Sequence, residues 1–331
     1  MSFNTLQNTK FYKFLNNTIR GKTIIVWSSR QVFRLISILY SDIKWNDRQY
    51  FIKKHMHINL YNPLTFSDKV FYLKFFYRNP LVELTSDKYY VRDYVRLCGY
   101  PEILNEIYAV YGDVSDIEWK CLPQDFFMKC NHASKFNLRV KKDENFNVNL
   151  INRLFNQYLN TNYYPFSREW NYKRILPKLI IEKTIIDGDG NLPIDYKFYC
   201  FEGKAKYFMV SYGEYEHNVR NHKFDMDFNS IDYLFKERST INANDIIIPL
   251  NFDMMINIVN KLASPFPHVR IDLYNVGGKI IFGEMTHFTG GGIINVFSSD
   301  MDQKIGSWIN LDRYKNDFVY KKKMAKYRIV T

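Results

Sequence analysis

Two acids stand in an apolar setting late in the chain. In Val269-Arg-Ile-Asp-Leu-Tyr-Asn-Val-Gly-Gly-Lys-Ile-Ile-Phe-Gly-Glu-Met-Thr286, Asp272 and Glu284 fall on what reads as two antiparallel strands joined at Gly277-Gly278. A carboxylate on a half-buried strand is costly to desolvate unless something positive meets it. Two that face each other ask for a cation, and hard oxygen donors favour Mg2+. Register decides whether they do. A two-residue turn at Gly277-Gly278 pairs Asp272 with Gly283 and turns Glu284 to the opposite face. A three-residue loop, Gly277-Gly278-Lys279, pairs Asp272 with Glu284 and sets Arg270 and Thr286 on the same face. The alternative is a hairpin whose acids make surface salt bridges, and spacing alone leaves both open. If the acids hold a metal, Asp272→Ala abolishes turnover and leaves the fold intact.

Lysines form the second feature. Lys129 in FFMKC, Lys183 in IIEKT and Lys197 in DYKFY each sit singly within an apolar strand. Such an arrangement suits phosphate oxygens met by point charges, although in a Lys-rich chain any one of them is more often simply solvated. The Asn131-His-Ala-Ser134 segment after Lys129 could cover a phosphate, but it is not glycine-rich. Neither GxxxxGK[ST] nor GxGxxG is present, and no G-x-S-x-G elbow. His55 with His57, and His217 with His222, lack a third ligand and read as surface histidines.

Helices and strands must position these groups. Helical spacing is expected over 31–40, 45–58 and 87–98, the last ending at Gly99. Thr65-Phe-Ser-Asp68 is a capping-box-like start to a helix over 70–77, whose aromatic run reads as core. Strands are expected over 125–130, 179–186, 195–201, 204–210, 269–275 and 279–285. Turns stand at Asp187-Gly-Asp-Gly190 and Glu202-Gly203, and further helices over 144–160, 252–263 and 301–311. Helices first, then hairpins with interspersed helices, argue for an α+β architecture with mostly antiparallel sheet.

Composition sets the outer bounds. The chain has 331 residues, 46% of them hydrophobic, with 46 Lys+Arg against 34 Asp+Glu and a formal charge of +12. That is ample for one large domain or two intimate ones. Six alanines beside 27 Phe and 26 Tyr point to an A/T-rich coding bias that inflates lysine and aromatics together. Basic residues are interspersed with acids except over 10–48 and 321–328, which argues against a nucleic-acid footprint. An anionic glycan or membrane surface, and above all nucleotide phosphate, suit the charge better. No run of about 18 apolar residues is present for a membrane span. Cys98, Cys121, Cys130 and Cys200 form no CxxC pair, and with no apolar leader in view a reducing cytoplasmic compartment is expected.

Several segments together resemble a known family. Arg270-Ile-Asp272, Glu284-Met-Thr286 and the following Gly-rich loop resemble the metal-binding end of ATP-grasp enzymes. Asp87-Lys-Tyr-Tyr-Val-Arg92, Met128-Lys-Cys-Asn-His132, Glu169-Trp-Asn-Tyr172, Leu179-Ile-Ile-Glu182, Asp195 through Lys204, Phe224-Asp225 and Val269 through Gly292 are similar to the TupA-like ATP-grasp family. That family is named for a teichuronopeptide biosynthesis protein, and the segments run in its order over roughly residues 60–311. The resemblance implies an ATP-grasp fold, with nucleotide between two α+β subdomains. It implies Lys129 on the α/β-phosphates with Ser134 in the covering loop. The chain around Ile181 to Ile185, with Ile181, Glu182 and Lys183 as the binding residues, would form the adenine hinge, and Lys197 would reach the γ-phosphate. Asp272 and Glu284 would bind Mg2+, with Arg270 stabilising the transferring phosphoryl group. Four positions, in three places, depart from the family pattern. Ala133 and Lys135 replace the glycines of N-H-G-S-G, Thr286 replaces a metal-ligating Asn, and Thr289 replaces a Pro.

The expectation is therefore an ATP- and Mg2+-dependent carboxylate–amine ligase that joins an amine or amino acid to a uronic acid of a surface polysaccharide. The alternatives are an ATP-grasp kinase acting on a sugar, or a non-catalytic nucleotide- or glycan-binding subunit. Its partners would be an anionic glycan or lipid-linked sugar, met in the cytoplasm at the inner face of the membrane. The expected organisation is a helical region over 1–80 and a catalytic domain over 81–331. That domain would divide into subdomains over about 101–178 and 179–311.

Overall fold

A computed structural model defines residues 32, 39–143, 146–212, 220–235, 241–243, 246, 248–294 and 298–314. The helix expected over 31–40, most of the basic stretch over 10–48, all of 321–328, and His217 lie wholly or largely outside these residues.

Among the described residues, the bounded helices before the sheets are α1 (Asp42–Lys54), α2 (Phe66–Phe76), α3 (Pro80–Ser86) and α4 (Val91–Leu97). The capping box forms at α2. Thr65 Oγ1 accepts from the Asp68 amide, and the Asp68 carboxylate accepts from the Thr65 amide. The helix expected over 87–98 starts four residues late. Asp87 explains the delay, because its carboxylate accepts from the Tyr89 amide at 2.8 Å and holds a turn instead. Gly99 ends the segment in the left-handed region.

The chain forms two compact units. One comprises 1–44, 87–89 and 106–184. Its antiparallel sheet contains β1 (Ile107–Tyr111), β2 (Asp125–Cys130), β3 (Asn137–Lys141) and β4 (Leu179–Lys183), in the order β1-β4-β2-β3. Helix α5 (Val148–Leu159) lays Ile151, Leu154, Phe155 and Tyr158 onto Phe126, Met128, Val140, Leu179 and Ile181. Each fully buried side chain of this size contributes about 1.5–3 kcal/mol. Strand β4 stops at Lys183 rather than 186 because its partner β2 begins at Asp125, and Thr184 Oγ1 instead donates to the Asp125 carboxylate.

The other unit comprises 45–86, 90–105 and 185–331. Its antiparallel sheet contains β5 (Asp195–Phe201), β6 (Lys204–Tyr212), β7 (Arg220–Asp225), β8 (His268–Val276) and β9 (Lys279–Thr286), in the order β7-β6-β5-β8-β9. Helix α6 (Phe252–Ala263) covers one face, with the Phe252 ring against Phe198 and Phe208. Alternation then sends Asp195, Lys197, Arg270 and Asp272 to the opposite face. Helix α2 is buried on nearly every side and packs against α7 (Ser299–Gly306) and the Thr289–Gly292 turn.

This division differs from the expected one in two ways. Residues 45–86 cluster with 185–331 rather than standing as part of a separate helical region. The second boundary falls after Thr184 rather than near 178, because β4 is a central strand bonded on both edges, to β1 and β2. No helix among the described residues is long and apolar enough to cross a membrane.

Candidate active site

The β8–β9 hairpin combines the two registers considered from sequence. Its turn has two residues, the left-handed Gly277 and Gly278, so Val276 pairs with Lys279 and Leu273 with Phe282. There the register shifts by one, and Asp272 pairs with Glu284 and Arg270 with Thr286. Gly283 is the extra residue of a β-bulge. A Cβ on it would stand 2.9 Å from the Asp272 carbonyl oxygen and 3.3 Å from the Tyr274 ring. Up to the bulge Ile280 and Phe282 are the buried residues of β9, and beyond it Met285 is, leaving Glu284 on the polar face.

Three strands bring charge to that face. Arg270 grips Asp272 with two bonds, Nε to Oδ1 at 2.6 Å and Nη2 to Oδ2 at 2.7 Å. The same Nη2 donates to Glu284 Oε1 at 2.8 Å, and Thr286 Oγ1 donates to that oxygen at 3.2 Å. Lys197, paired with Asp272 across β5 and β8, donates to Asp272 Oδ2 at 3.3 Å and also to Asp195 Oδ2. Asp195, Lys197 and Asp272 are all buried. Burial works against the Arg270 charge, but Asp272 and Glu284 hold its pKa well above the ordinary arginine value. Tyr199, opposite Arg270, stacks on Tyr207 at 4.3 Å, and burial raises both phenols. Sequence reasoning does not single out Asp195. Its signal is the Asp-x-Lys spacing, which puts both side chains on one face of a strand.

Among the described residues no group of three or more His, Cys, Asp or Glu is placed to hold a metal. Asp272 and Glu284 nevertheless supply two facing carboxylates. Mg2+ takes such a donor set when phosphate oxygens and water complete its shell, so these residues fit it.

The other unit holds the remaining candidates. Lys129 reaches Glu182 Oε1 at 2.6 Å, across β2 and β4 on the face away from α5. Ile181 and Lys183 alternate to the opposite face. The Ile181 side chain is wholly buried in the core, and β4 is bonded on both edges. The Lys183 ammonium is exposed, 3.6 Å from Glu106, and is not brought to the Lys129 face. Ser134 is exposed at the loop after β2. Asn131, fully buried, braces that loop through Asp87, Leu176 and Lys178, and Lys88 donates to the Ala133 carbonyl at 2.9 Å.

The TupA-like ATP-grasp family model matches residues 68–310, well over half of the chain. The chain belongs to the TupA-like ATP-grasp family. No curated protein matches its sequence. Among solved structures it is similar to the ATP-grasp ligase PsnB in complex with a minimal precursor, at 11% identity and a TM-score of 0.40, covering 70% of this chain and 61% of that one. The D-alanine–D-alanine ligase of Bacillus anthracis with ATP is 14% identical at a TM-score of 0.34, covering 62% and 54%. The Coxiella burnetii enzyme of that name is 10% identical at 0.38, covering 75% and 62%. The chain thus spans between half and two thirds of these structures.

Within this TupA-like ATP-grasp protein the departures from the family pattern have local reasons. Lys135 has φ +64°, so it adopts the left-handed backbone of the glycine it replaces. Lys135→Gly is therefore expected to stabilise the protein by about 1 kcal/mol, read from its urea midpoint. Thr289 Oγ1 lies 2.9 Å from His268 Nε2, a partner that proline lacks. Because His268 Nδ1 donates to the Cys200 carbonyl, Nε2 accepts from that hydroxyl. Thr286 donates to Glu284 and so supports a carboxylate.

Burial pushes His268 and His287 down from 6.5 to about 3. The unfolded chain thus binds protons that the native state refuses between those values. Stability is full above the unfolded pKa and falls as pH drops toward 3, by up to about 1.4 kcal/mol per pH unit per histidine. Urea unfolding at pH 7, 6 and 5 checks this, and His287→Gln should flatten the slope.

Proposed function

We propose that this TupA-like ATP-grasp protein is an ATP- and Mg2+-dependent carboxylate–amine ligase acting on a uronic acid of a surface polysaccharide. The supporting observation is the meeting of Lys197, Arg270, Asp272 and Glu284 on one face of three adjacent strands. A carboxylate oxygen of the acceptor attacks the γ-phosphorus, ADP leaves, and an acyl phosphate results. The amine nitrogen then attacks the acyl carbon, phosphate leaves, and the nitrogen loses a proton to give the amide. The assigned roles follow the charges. Asp272 and Glu284 hold Mg2+, Lys197 meets the γ-phosphate and Arg270 the phosphoryl group in flight, and such a site works by positioning and charge neutralisation. Lys129 and Ser134 are assigned to nucleotide phosphates, and the chain around Ile181 to Ile185, with Glu182 and Lys183, to the adenine hinge.

The basic composition suits an anionic glycan or its lipid-linked precursor at the inner face of the membrane. The test is ATP consumption with Mg2+ against uronic-acid glycans, with and without amino acids. ADP and free phosphate in equal amounts, appearing only with both acceptor and amine, are expected. ADP with the label moved onto the sugar would make the protein a kinase. Nucleotide binding without turnover in any mixture would make it a binding subunit.

A further inference from the structure

The segment that leaves β9 is held by side chains from α1, α2 and α3. His287 Nε2 lies 2.7 Å from Thr85 Oγ1 on α3, and that hydroxyl gives its hydrogen to the Leu81 carbonyl, so the imidazole donates. Lys74 on α2 donates to the Gly291 carbonyl at 3.1 Å and to Asn46 Oδ1 at 2.9 Å. Lys54 on α1 donates to the Ile294 carbonyl. The Phe71 ring on α2 lies against Gly292, where a Cβ would come within 2.8 Å of it.

Gly290, Gly291 and Gly292 all have positive φ, at 59°, 65° and 92°. Three successive left-handed residues make a backbone with little intrinsic preference for one shape. Something must fix it, and among the described residues a buried ammonium and a buried ring from α2 reach it, while a lysine from α1 holds the chain just beyond at Ile294. Burying the Lys74 ammonium at 2% exposure is a heavy cost to accept for packing alone. The loop begins a few residues beyond Glu284 and Thr286, so its shape sets how β9 ends.

We propose that α1 and α2 are part of the catalytic apparatus, with Lys74 the positioning residue that fixes the Gly290–Gly292 loop beside the acid-bearing strand. This rests on the ligase reading for its effect on turnover, but not for its effect on the loop.

The experiment uses the full chain with Lys74→Met, which keeps the length of the side chain and removes its charge. Three quantities are read: kcat with acceptor and amine, affinity for a non-hydrolysable ATP analogue with Mg2+, and amide exchange of residues 289–294. The expected result is a kcat lower by about 10²-fold, unchanged nucleotide affinity and faster exchange confined to the loop. In a cycle with Gly291→Ala the two losses should not add, because both act through one loop. If the wild type turns over no acceptor, the ligase reading fails while exchange still decides the brace. Folded Lys74→Met with wild-type exchange overturns the proposal, as does wild-type kcat in an active enzyme. If Lys74→Met does not fold, Lys54→Met, reaching the same segment from a less buried position, is judged by the same criteria.

Discussion

Asp272→Asn is expected to lower ATP turnover by about 10³-fold, the upper end for loss of one preorganised charge contact in an active site. The amide keeps the shape of the side chain and one acceptor for Arg270, but it removes the charge. Arg270 and Lys197 both lean on that charge, at 2.6 Å and 3.3 Å. Asp272 is 2% exposed, so its loss leaves two cations short of a partner in a dry setting. Breaking a buried ion pair from one side costs about 3–5 kcal/mol. Asp272→Ala, which sequence alone suggests would leave the fold intact, is therefore expected to lose stability as well. ADP release at saturating ATP and the urea midpoint measure the two effects separately. Full turnover in a folded Asp272→Asn protein would remove the metal assignment.

Gly283→Ala should be nearly as damaging, although the residue carries no chemistry. Its methyl group would stand 2.9 Å from a backbone oxygen of Asp272, the residue whose position matters most. Either the strands part there, or the bulge closes and the turn's own register runs on. In that second case the new methyl group faces Asp272, and Glu284 rotates to the side covered by α6. A loss of about 10²-fold in turnover is expected, with weakened Mg2+-nucleotide binding. Deleting Gly283 is the contrasting variant. It removes the bulge but leaves Glu284 opposite Asp272, with Phe282 and Met285 still inward, so it should retain more activity than Gly283→Ala. The reverse ranking would show that the local bend, not the facing of the acids, is what the bulge provides.

Much of this arrangement can be read in the residues themselves. The strands over 125–130 and 195–201 and the helix over 252–263 run to the residues expected, because turn signals and hydrophobic period agree there. The bulge cannot be read. A two-glycine turn fixes the register near the turn and says nothing of an extra residue five positions further on. Asp195 is hidden as an ordinary start to a strand. Period two along β4 brings Glu182 to the Lys129 side and turns the side chains of Ile181 and Lys183 to the other. Helix α2 shows its apolar character but not its partner, since an apolar surface carries no address.

Among the described residues, Asp272 and Glu284 already share one cation: Arg270 bonds both oxygens of Asp272 and Oε1 of Glu284. A divalent ion held by the same two carboxylates would compete with the guanidinium for those oxygens. On the ligase reading, metal entry would thus loosen the grip of Arg270 on its own strand and release it toward the phosphoryl group.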